Sequence, residues 1–371
     1  MKLLIEKAIL LESLTNVMRA ISPRNIIPIL NGVMFELTDE GLYLTASDSD
    51  LTIRNFIPKE KIKNIYKTGK IIIQSKYLLE IIRKLPNTDI NIEVVDSLKI
   101  VISTENTVYN LNCLDTEDYP NIKLDYVENP IVINSSTIKK IISQTLFAVS
   151  NQESRPLLTG INFKISGNVL ECVATDSYRL AKKTTILDQN YESANIVIPG
   201  KNINELDKIL SDEDNVEIHL FDNKVLFKYQ NYLFQSSLLS GTYPNTNNFI
   251  PEEFEIIITT SLNDYFAAID RAALLTQNKD KNIIKMDTDA NEIIITSSSS
   301  EIGKSEEKVL VNKNTDKNLS ISFSAKYMLE ALKTFDEEDL IILLNNDSKP
   351  IILKSATDET LIQLILPIKT Y

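Results

Sequence analysis

One amphipathic pattern occurs three times along the chain at a constant spacing. Apolar residues recur every three or four positions in residues 75–85 (SKYLLEIIRKL), 200–210 (GKNINELDKIL) and 325–335 (AKYMLEALKTF), which predicts three helices, here called the motif helices. Each has a cation, a glutamate four residues later and a second cation three residues after that. The cations are Lys76, Arg83, Lys201, Lys208, Lys326 and Lys333. Because the copies are 125 residues apart, one structural unit is predicted to occur three times.

Other elements repeat with the motif helices. A helix pattern opens each third of the chain, in residues 6–21, 134–149 and 259–275. Alternating segments typical of half-buried strands follow, and residues 29–37 correspond to residues 157–165 at an offset of 128. After each motif helix, turn residues separate two β-rich runs, which predicts a hairpin. Each unit is therefore expected to have two helices and about eight strands.

The junctions between units follow two Tyr-Pro turns. LDTEDYP ends at Pro120 and LLSGTYP ends at Pro244, which places boundaries near residues 125 and 250. The chain of 371 residues is 43% apolar, enough for a core in each of three domains. We therefore predict an α+β protein in which each domain packs two helices on antiparallel β-sheets. The predicted domains are residues 1–125, 126–250 and 251–371.

The net charge and its distribution along the chain lead to different expectations about nucleic-acid binding. A formal charge of −12 by itself argues against nucleic acid as a partner. Lys plus Arg and Asp plus Glu number 15 and 17 in residues 1–125, 11 and 13 in residues 126–250, and 13 and 21 in residues 251–371. The acidity therefore lies mostly in the last third. Because salt screens charges over roughly 8–10 Å, the charge of one local surface matters more than the total.

The motif helices have two interpretations. A charged stripe opposite an apolar stripe is often only a solvated face, on which the glutamate pairs with a cation one turn away. The cations nevertheless recur in all three copies, whereas neighbours that are expected to be exposed differ, as Lys84, Ile209 and Thr334 illustrate. The repetition favours a functional surface.

The sequence predicts a cytoplasmic protein without a membrane span. Charged residues interrupt the apolar start of the chain, and no apolar run reaches the ~18 residues that a membrane span needs. Cys113 and Cys172 lie in different repeats and have no metal-ligand companions. Free thiols of this kind are typical of a reducing compartment.

No set of residues indicates catalysis. The single histidine, His219, lies in an alternating strand pattern without catalytic companions and is expected to be packed or on the surface. Acidic clusters at Asp48/Asp50 and in residues 212–214 and 336–339 could hold a divalent cation, but the last two follow motif helices, where charged loops are common. The chain has eight glycines and no phosphate-binding glycine motif. We therefore predict a non-enzyme with no metal and no cofactor.

Three further motifs indicate a family. ATDSYRLA (residues 174–181), GTYPNTNNFIP (241–251) and LILPIKTY (364–371), together with the three tandem units, resemble the bacterial DNA sliding clamp, the beta subunit of the replicative DNA polymerase III holoenzyme. The resemblance covers the full length. It implies that two chains join head to tail into a homodimeric ring of six clamp domains. Such a ring encircles duplex DNA, slides along it and tethers the polymerase as a processivity factor.

The resemblance also implies how DNA is held. The motif helices would face the central hole and contact phosphates of double-stranded DNA without reading its sequence. Arg24 and Gln152 match further positions near the channel. The residues assigned to DNA contact are Arg24, Lys76, Arg83, Gln152, Lys201, Lys208, Lys326 and Lys333.

A pocket between domains 2 and 3 is the second implied site. In the family, the replicative polymerase, the clamp loader and repair proteins insert a short peptide there. Matching the family motifs assigns to it Leu158, Thr175, Ser177, Tyr178, Arg179, Leu180, Pro244, Phe249, Pro350, Leu364, Ile365, Leu366, Pro367 and Ile368. Tyr178 stands where the family usually has His, and Asn248 where it usually has a basic residue, so the preferred partner motif stays open. LIQLILPI could instead be a core strand, although Pro367 favours a strand end near the surface.

The subunit interface is the last assignment. The resemblance matches it to Val108, Tyr109, Asn110, Leu111, Leu274, Leu275, Ser305, Glu306 and Glu307. Two alternatives to the ring remain. One is a three-domain scaffold that binds peptides without encircling DNA. The other is an acidic hydrolase using Asp48 and Asp176, for which the chain lacks a recognisable base, nucleophile or metal set.

Overall fold

The computed structural model describes residues 1–22, 25, 27–96, 98–211, 214–276 and 282–369. Its α-helices coincide with the predicted ones, so both helices of each repeat are confirmed. They are α1 Lys7–Val17, α2 Ser75–Lys84, α3 Ser135–Thr145, α4 Gly200–Asp207, α5 Leu262–Ala273 and α6 Ala325–Leu332. The motif helices are therefore α2, α4 and α6. A 3-10 turn follows α1 over Met18–Ala20 and α3 over Leu146–Ala148.

The strands alternate with these helices in the predicted order. In the first repeat they are β1 Lys2–Glu6, β2 Gly32–Leu37, β3 Gly41–Ser47, β4 Leu51–Pro58, β5 Asn64–Lys67, β6 Gly69–Gln74, β7 Asp89–Asp96, β8 Lys99–Thr104 and β9 Thr107–Leu114. The next are β10 Ile131–Asn134, β11 Gly160–Thr175, β12 Arg179–Pro199, β13 Asn215–Leu220, β14 Lys224–Tyr229 and β15 Tyr232–Ser237. The last are β16 Ile256–Ser261, β17 Ile283–Thr288, β18 Glu292–Ser299, β19 Gly303–Leu310, β20 Asn312–Lys313, β21 Leu319–Ser324, β22 Asp339–Leu344, β23 Ile351–Ser355 and β24 Leu361–Ile365.

The middle repeat departs from the expected strand count. Its strands β11 and β12 are 16 and 21 residues long, and each takes the place of several short strands. Register shifts between Ile165 and Val169 keep the two long strands paired where their twist changes. The three predicted hairpins are confirmed as the antiparallel pairs β7–β8, β13–β14 and β22–β23.

The chain divides into two compact units, which do not coincide with the three sequence repeats. The first contains Met1–Lys139 and Lys201–Leu238, and the second contains Lys140–Gly200 and Leu239–Tyr371. The first unit has a 13-stranded sheet in the order β10-β13-β14-β15-β4-β3-β2-β6-β9-β8-β7-β1-β5. The second has a seven-stranded sheet, β11-β12-β24-β23-β22-β16-β20, and a four-stranded sheet, β19-β18-β17-β21. The division follows the sheets, because the middle repeat contributes strands to both units.

Each motif helix buries one apolar stripe in its unit. The buried side chains are Leu78 and Ile82 in α2, Ile203 and Leu206 in α4, and Met328, Ala331 and Leu332 in α6. Burying a leucine, isoleucine or methionine side chain contributes roughly 1.5–3 kcal/mol, so this stripe fixes which way the helix faces. The cations are thereby directed to the opposite side.

The isolated polar and thiol groups are packed as the sequence predicted. His219 is buried on β13, where its Nδ1 accepts a hydrogen bond from the Val127 N–H at 3.0 Å and where burial lowers its pKa. Cys113 and Cys172 are free buried thiols, and burial raises the pKa of Cys113 to about 11. Within the described residues, no group of acidic, histidine or cysteine side chains is placed to hold a metal ion. No helix among them is long and apolar enough to cross a membrane.

Candidate peptide pocket, basic helix faces and open sheet edges

All six motif cations are exposed; Lys208 and Lys333 lie one residue past the ends of α4 and α6, and the other four lie within their helices. Lys201 makes an ion pair with Asp50 at 3.0 Å, and Lys208 makes one with Glu205 at 2.6 Å. The Nζ atom of Lys76 lies 5.1 Å from the centre of the Tyr77 ring. Exposed contacts of this kind are worth about 0–1 kcal/mol, so they leave the cations available to a stronger anion.

The motif glutamates have three different environments. Glu80 pairs weakly with Lys84 at 3.9 Å, and both side chains are exposed. Glu205 pairs with Arg19 at 3.2 Å as well as with Lys208. Glu330 pairs with Arg179. Glu80 therefore pairs within its own helix, as the solvated-face interpretation requires, whereas Glu205 and Glu330 pair with arginines from other parts of the chain.

Gln152 and Arg24 are the two additional residues assigned to DNA contact. Gln152 is exposed in a turn, where its N–H donates to Ser150 Oγ at 3.0 Å and its carbonyl accepts from the Arg155 N–H at 3.3 Å. Arg24 lies outside the described residues.

A tight turn connects β11 to β12 and forms one wall of a cavity. Ser177 has a φ of 79°, the left-handed conformation that single residues adopt in such turns. Asp176 Oδ1 accepts the N–H groups of Tyr178 at 2.9 Å and Arg179 at 3.0 Å. Thr175 Oγ1 donates to the Arg179 carbonyl at 2.6 Å. These short-range bonds close the turn without help from the neighbouring strands.

The Tyr-Pro turn of the middle repeat supports the same wall. The buried Tyr243 hydroxyl accepts the Thr175 N–H at 3.2 Å, which places Pro244 beside the cavity. Gly241 has a φ of 129° and packs against Leu157, whose Cδ1 lies 2.9 Å from where a Cβ would be. A side chain at Gly241 would therefore strain the backbone and push Leu157 towards the cavity.

The cavity has a volume of about 870 Å³ and lies within the second unit. Strand β24 pairs with β12 in the register Leu180↔Leu364, which brings distant parts of the chain together. The Leu366 N–H continues this contact by donating to the Tyr178 carbonyl at 2.9 Å. The lining residues are Arg155, Pro156, Leu157, Leu158, Thr175, Ser177, Arg179, Leu180, Ser240, Thr242, Pro244, Asn248, Phe249, Pro251, Lys349, Pro350, Leu364 and Leu366.

Most of the residues assigned to the pocket line this cavity. They are Leu158, Thr175, Ser177, Arg179, Leu180, Pro244, Phe249, Pro350, Leu364 and Leu366. Tyr178, Ile365, Pro367 and Ile368 do not. Ile365 is fully buried in a different core cluster from Leu364, because neighbouring residues of a strand face opposite sides. Strand β24 ends at Ile365, so Pro367 follows the strand end as its missing N–H indicated.

The rim of the cavity is positive, a feature that the motifs did not reveal. Arg155 is exposed and donates to Ser177 Oγ at 2.9 Å, and Lys349 is exposed on the loop before β23. Together with Arg179 they give the lining three cations, and none of the described lining residues carries a carboxylate. The remaining unassigned residues belong to the loops at residues 156–157 and 240–251, whose side chains approach only after the strands pair.

Two sheet edges carry the residues assigned to the subunit interface. Strand β9 pairs with β6 only at Cys113 and Leu114, which leaves residues 107–112 open on one side. Strand β19 ends its sheet and, among the described strands, pairs with β18 alone. Val108 on β9 is 63% exposed, and Leu274 after α5 is 60% exposed. Large exposed apolar side chains beside open edges are unusual in a monomer.

The other residues assigned to the interface lie on β9 or β19, except Leu275, which follows α5. Asn110 and Glu306 are exposed, whereas Tyr109, Leu111, Leu275, Ser305 and Glu307 are half-buried. Arg271 donates to Glu307 Oε2 at 2.7 Å, and Ser305 Oγ lies 2.9 Å from Ser297 Oγ. The edge strand β19 is therefore stabilised by contacts with helix α5 and with the neighbouring strand β18.

Comparison with known proteins establishes the family. Three family models match the chain in order: DNA polymerase III beta subunit, N-terminal domain, over residues 1–123, its central domain over 132–245, and its C-terminal domain over 247–369. The chain therefore belongs to the DNA polymerase III beta subunit family. The beta sliding clamps of Bacillus subtilis (strain 168) and Staphylococcus epidermidis are 40% and 38% identical, over the full length of both chains.

Solved structures agree with this assignment. The DNA polymerase sliding clamp from Bacillus subtilis has a TM-score of 0.96 at 40% identity, and the DNA polymerase III beta chain from Streptococcus pneumoniae has 0.96 at 32%. Both comparisons cover all of each chain. The predicted fold of three clamp domains, a role in DNA replication as a processivity factor of DNA polymerase III, and the absence of catalysis are thus confirmed.

Proposed function

We propose that this chain forms half of a six-domain ring that encircles duplex DNA, slides along it and tethers DNA-processing proteins through the cavity. The observation that carries the proposal is the exposure of the same two cations on each of three repeated helices. A duplex presents phosphates on every side, so a surface that surrounds it needs the same charges at regular intervals. A three-domain scaffold that only binds peptides would not require these repeated cations.

Sliding follows from the chemistry of these contacts. Lysine and arginine neutralise phosphates without reading bases, and binding of this kind weakens steeply as salt rises. The motif glutamates lie between the cations and moderate the attraction. A ring is held by encirclement, so weak contacts suffice and allow movement along the helix axis.

Ring closure would use the two open edges. We expect β9 of one chain to add to β19 of a second chain, joining domain 1 to domain 3 head to tail, with Val108 and Leu274 covered. Unlike surfaces that meet in this way generate a closed ring when the rotation per subunit permits. The proposed domains remain residues 1–125, 126–250 and 251–371.

The cavity suits a short extended peptide with apolar anchors. Its apolar lining comes from leucines, prolines and Phe249, while Thr175, Asn248 and the rim cations provide a few polar groups. The replicative polymerase, the clamp loader and repair proteins are the proposed partners. We place this activity in the cytoplasm, in keeping with the free thiols of Cys113 and Cys172. The proposed function uses no metal and no cofactor.

Topology is tested with DNA whose ends can be exposed. The protein is loaded by a clamp loader on nicked circular DNA, the circle is cut, and the protein that co-elutes with DNA by gel filtration is measured. We expect retention on the circle and loss after cutting, since a ring slides off an end. Retention on linear DNA would instead indicate binding to the side of the duplex.

The helix faces are tested with matched variants. Replacing both cations of α2 by alanine (Lys76→Ala with Arg83→Ala) removes four cations from the proposed dimeric ring and should reduce the log–log slope of DNA binding against salt by up to about 3.6, since each phosphate contact contributes about 0.9. Lys84→Ala is the control, because this exposed lysine lies on the same helix outside the motif. Equal effects of the two variants would show that the motif positions are not special.

The cavity and the ring are tested separately. Removing residues 366–371 should abolish binding of the replicative polymerase from the same organism in surface plasmon resonance, because Leu366 lines the cavity. The mass in solution should remain that of a dimer, which sedimentation equilibrium measures. Unchanged polymerase affinity would contradict the pocket assignment, and a monomeric mass of the full chain would contradict the ring.

A further inference from the structure

One cavity-lining side chain is held from behind by a motif helix. Arg179 is only 8% exposed although it lines the cavity. Its Nε donates to Asp176 Oδ2 at 3.1 Å, and its Nη1 donates to Glu330 Oε2. The guanidinium carbon lies 4.4 Å from the centre of the Tyr327 ring and 5.1 Å from that of Phe147. Four groups therefore fix the guanidinium.

Two of these four groups belong to α6. Tyr327 and Glu330 are three residues apart, so they lie on one face of the helix. The side chain of Glu330 is about one-third exposed, whereas that of Arg179 is 9% exposed, so the pair is formed at the edge of the buried region. A guanidinium is a rigid planar fork, and anchoring one side of it determines where the other side points.

The other motif glutamates have no such role. Glu205 pairs with Arg19 and Glu80 with Lys84, and neither of these two cations lines the peptide cavity. Among the motif glutamates, all of which the structure describes, Glu330 alone contacts a cavity-lining residue. The motif glutamate of α2 pairs with a lysine of its own helix, whereas the motif glutamate of α6 contacts a residue that lines the cavity.

From this geometry we infer that Glu330 is a positioning residue for the peptide pocket. Its carboxylate holds Arg179 so that the remaining guanidinium N–H groups face the cavity, where carbonyl oxygens of an extended peptide accept them. The inference rests on the proposed peptide-binding function. It predicts that a helix assigned to DNA contact also sets the affinity for partner proteins, without itself lining the cavity.

Glu330 is expected to raise peptide affinity by ordering the Arg179 side chain before the peptide binds. Without Glu330, the guanidinium keeps Asp176 and the two rings but loses one of its two hydrogen bonds to carboxylates, so its orientation is less restricted. A peptide must then immobilise the side chain during binding, which reduces affinity even when every peptide contact is still made. Glutamine at position 330 keeps a carbonyl acceptor and should preserve most of the geometry.

The probe is the strongest binder among short overlapping peptides that tile the replicative polymerase of the same organism. Its affinity is measured by fluorescence anisotropy for the full chain and for Glu330→Ala, Glu330→Gln and Glu171→Ala. Glu171 is the matched control, since it forms a half-buried ion pair with Lys182 at 2.5 Å in the same unit, away from the cavity. We expect Glu330→Ala to raise Kd about tenfold, in the usual range of coupling between sites. Glu330→Gln should change Kd less, and Glu171→Ala should leave it within about twofold.

A double-mutant cycle separates positioning from a general loss of structure. In the Arg179→Ala background, Glu330→Ala should have no further effect on Kd, because the residue acts through Arg179. Additive losses, or an unchanged Kd in Glu330→Ala alone, would overturn the inference. If no polymerase peptide binds the unaltered protein, the proposed pocket function fails instead, so the two failures are distinguishable.

Discussion

The first and second repeats contain the same turn but use it differently. In the first repeat, Asp48 Oδ1 accepts the N–H groups of Asp50 and Leu51, and Ser49 has a φ of 78°. Residues 175–179 form the corresponding turn 128 residues later, with the same carboxylate bonds and a φ of 79° at its serine. The backbone of the turn is thus fixed by an aspartate and one left-handed residue.

The side chains at the ends of these turns make the difference. In the first repeat, Asp50 reaches the cation Lys201 on motif helix α4. In the second, Arg179 takes the position of Leu51 and reaches the glutamate Glu330 on motif helix α6. One turn therefore neutralises a motif cation at the surface, and the other buries a cation beside a cavity. The two turns therefore share a backbone conformation, while the side chains that follow the left-handed serine have acquired different chemistry.

The strand after each turn shows the same divergence. Asn55 is buried on β4 and donates to the Asn231 carbonyl at 3.4 Å. Lys183 occupies the corresponding place on β12 and donates to Asp358 Oδ2 at 2.6 Å and to Thr360 Oγ1 at 2.7 Å. The second region thus depends on buried charge where the first uses neutral hydrogen bonds. Removing single charges tests this contrast.

The largest expected effect comes from giving the second turn the residue of the first. Arg179→Leu leaves the carboxylates of Asp176 and Glu330 without their shared partner and removes the ring contacts. Breaking a buried ion pair from one side costs roughly 3–5 kcal/mol, so the free energy of unfolding should fall by that amount in urea denaturation. A loss below about 1 kcal/mol would mean that the two turns are energetically alike.

A smaller and pH-dependent effect is expected for Asp358→Asn. Although burial raises the pKa of Asp358, hydrogen bonds from Lys183 and Thr360 outweigh it and lower the pKa to about 2. Because the carboxylate is partly exposed, its loss should reduce stability by only about 1.5 kcal/mol at neutral pH.

The sign of the pH dependence follows from the lowered pKa of Asp358. The stabilisation is complete above the ordinary pKa of 3.8 and is lost as the pH falls towards 2. The difference between Asp358→Asn and the unaltered protein should therefore shrink from pH 4 to pH 2 in urea titrations. Asn55→Ala provides the neutral counterpart, and its effect should not change over this range.

Replacing the left-handed serines by glycine compares the backbones directly. Ser49→Gly relieves the left-handed strain and should raise the free energy of unfolding by about 0.5 kcal/mol after the entropy cost of glycine. Ser177→Gly also removes the acceptor of the Arg155 hydrogen bond, so its gain should vanish. Thermal denaturation of both variants measures the difference, and an equal gain would show that the Arg155 bond contributes nothing.

The smallest effect is expected for Asp50→Asn. The Asp50–Lys201 pair is exposed on both sides, so its removal should change stability by no more than about 0.5 kcal/mol. The change should disappear in 1 M salt, where the screening length is about 3 Å. A larger effect that persists at high salt would show that the Asp50–Lys201 pair contributes to stability as a buried ion pair does.

Much of the fold was predictable because it depends on local spacing. The helices at Ser75–Lys84, Gly200–Asp207 and Ala325–Leu332 were predicted from their apolar periodicity, and the exposure of their cations follows from which stripe is buried. The cavity was only partly predictable. Leu364 and Ile365 are adjacent in a matched motif, yet the pleat sends one to the cavity side and the other into a separate core.

The sequence alone determined the threefold plan, the six helices and the hairpins, because the elements follow from local spacing and the plan follows from their recurrence along the chain. The tertiary structure decided that Arg155 and Lys349 rim the cavity, that Glu330 holds Arg179 and that β9 and β19 keep open edges. Each of these depends on strand pairing between residues far apart in sequence. The period-two pattern of a strand determines which of its faces is buried, but it does not specify which distant strand lies beside it.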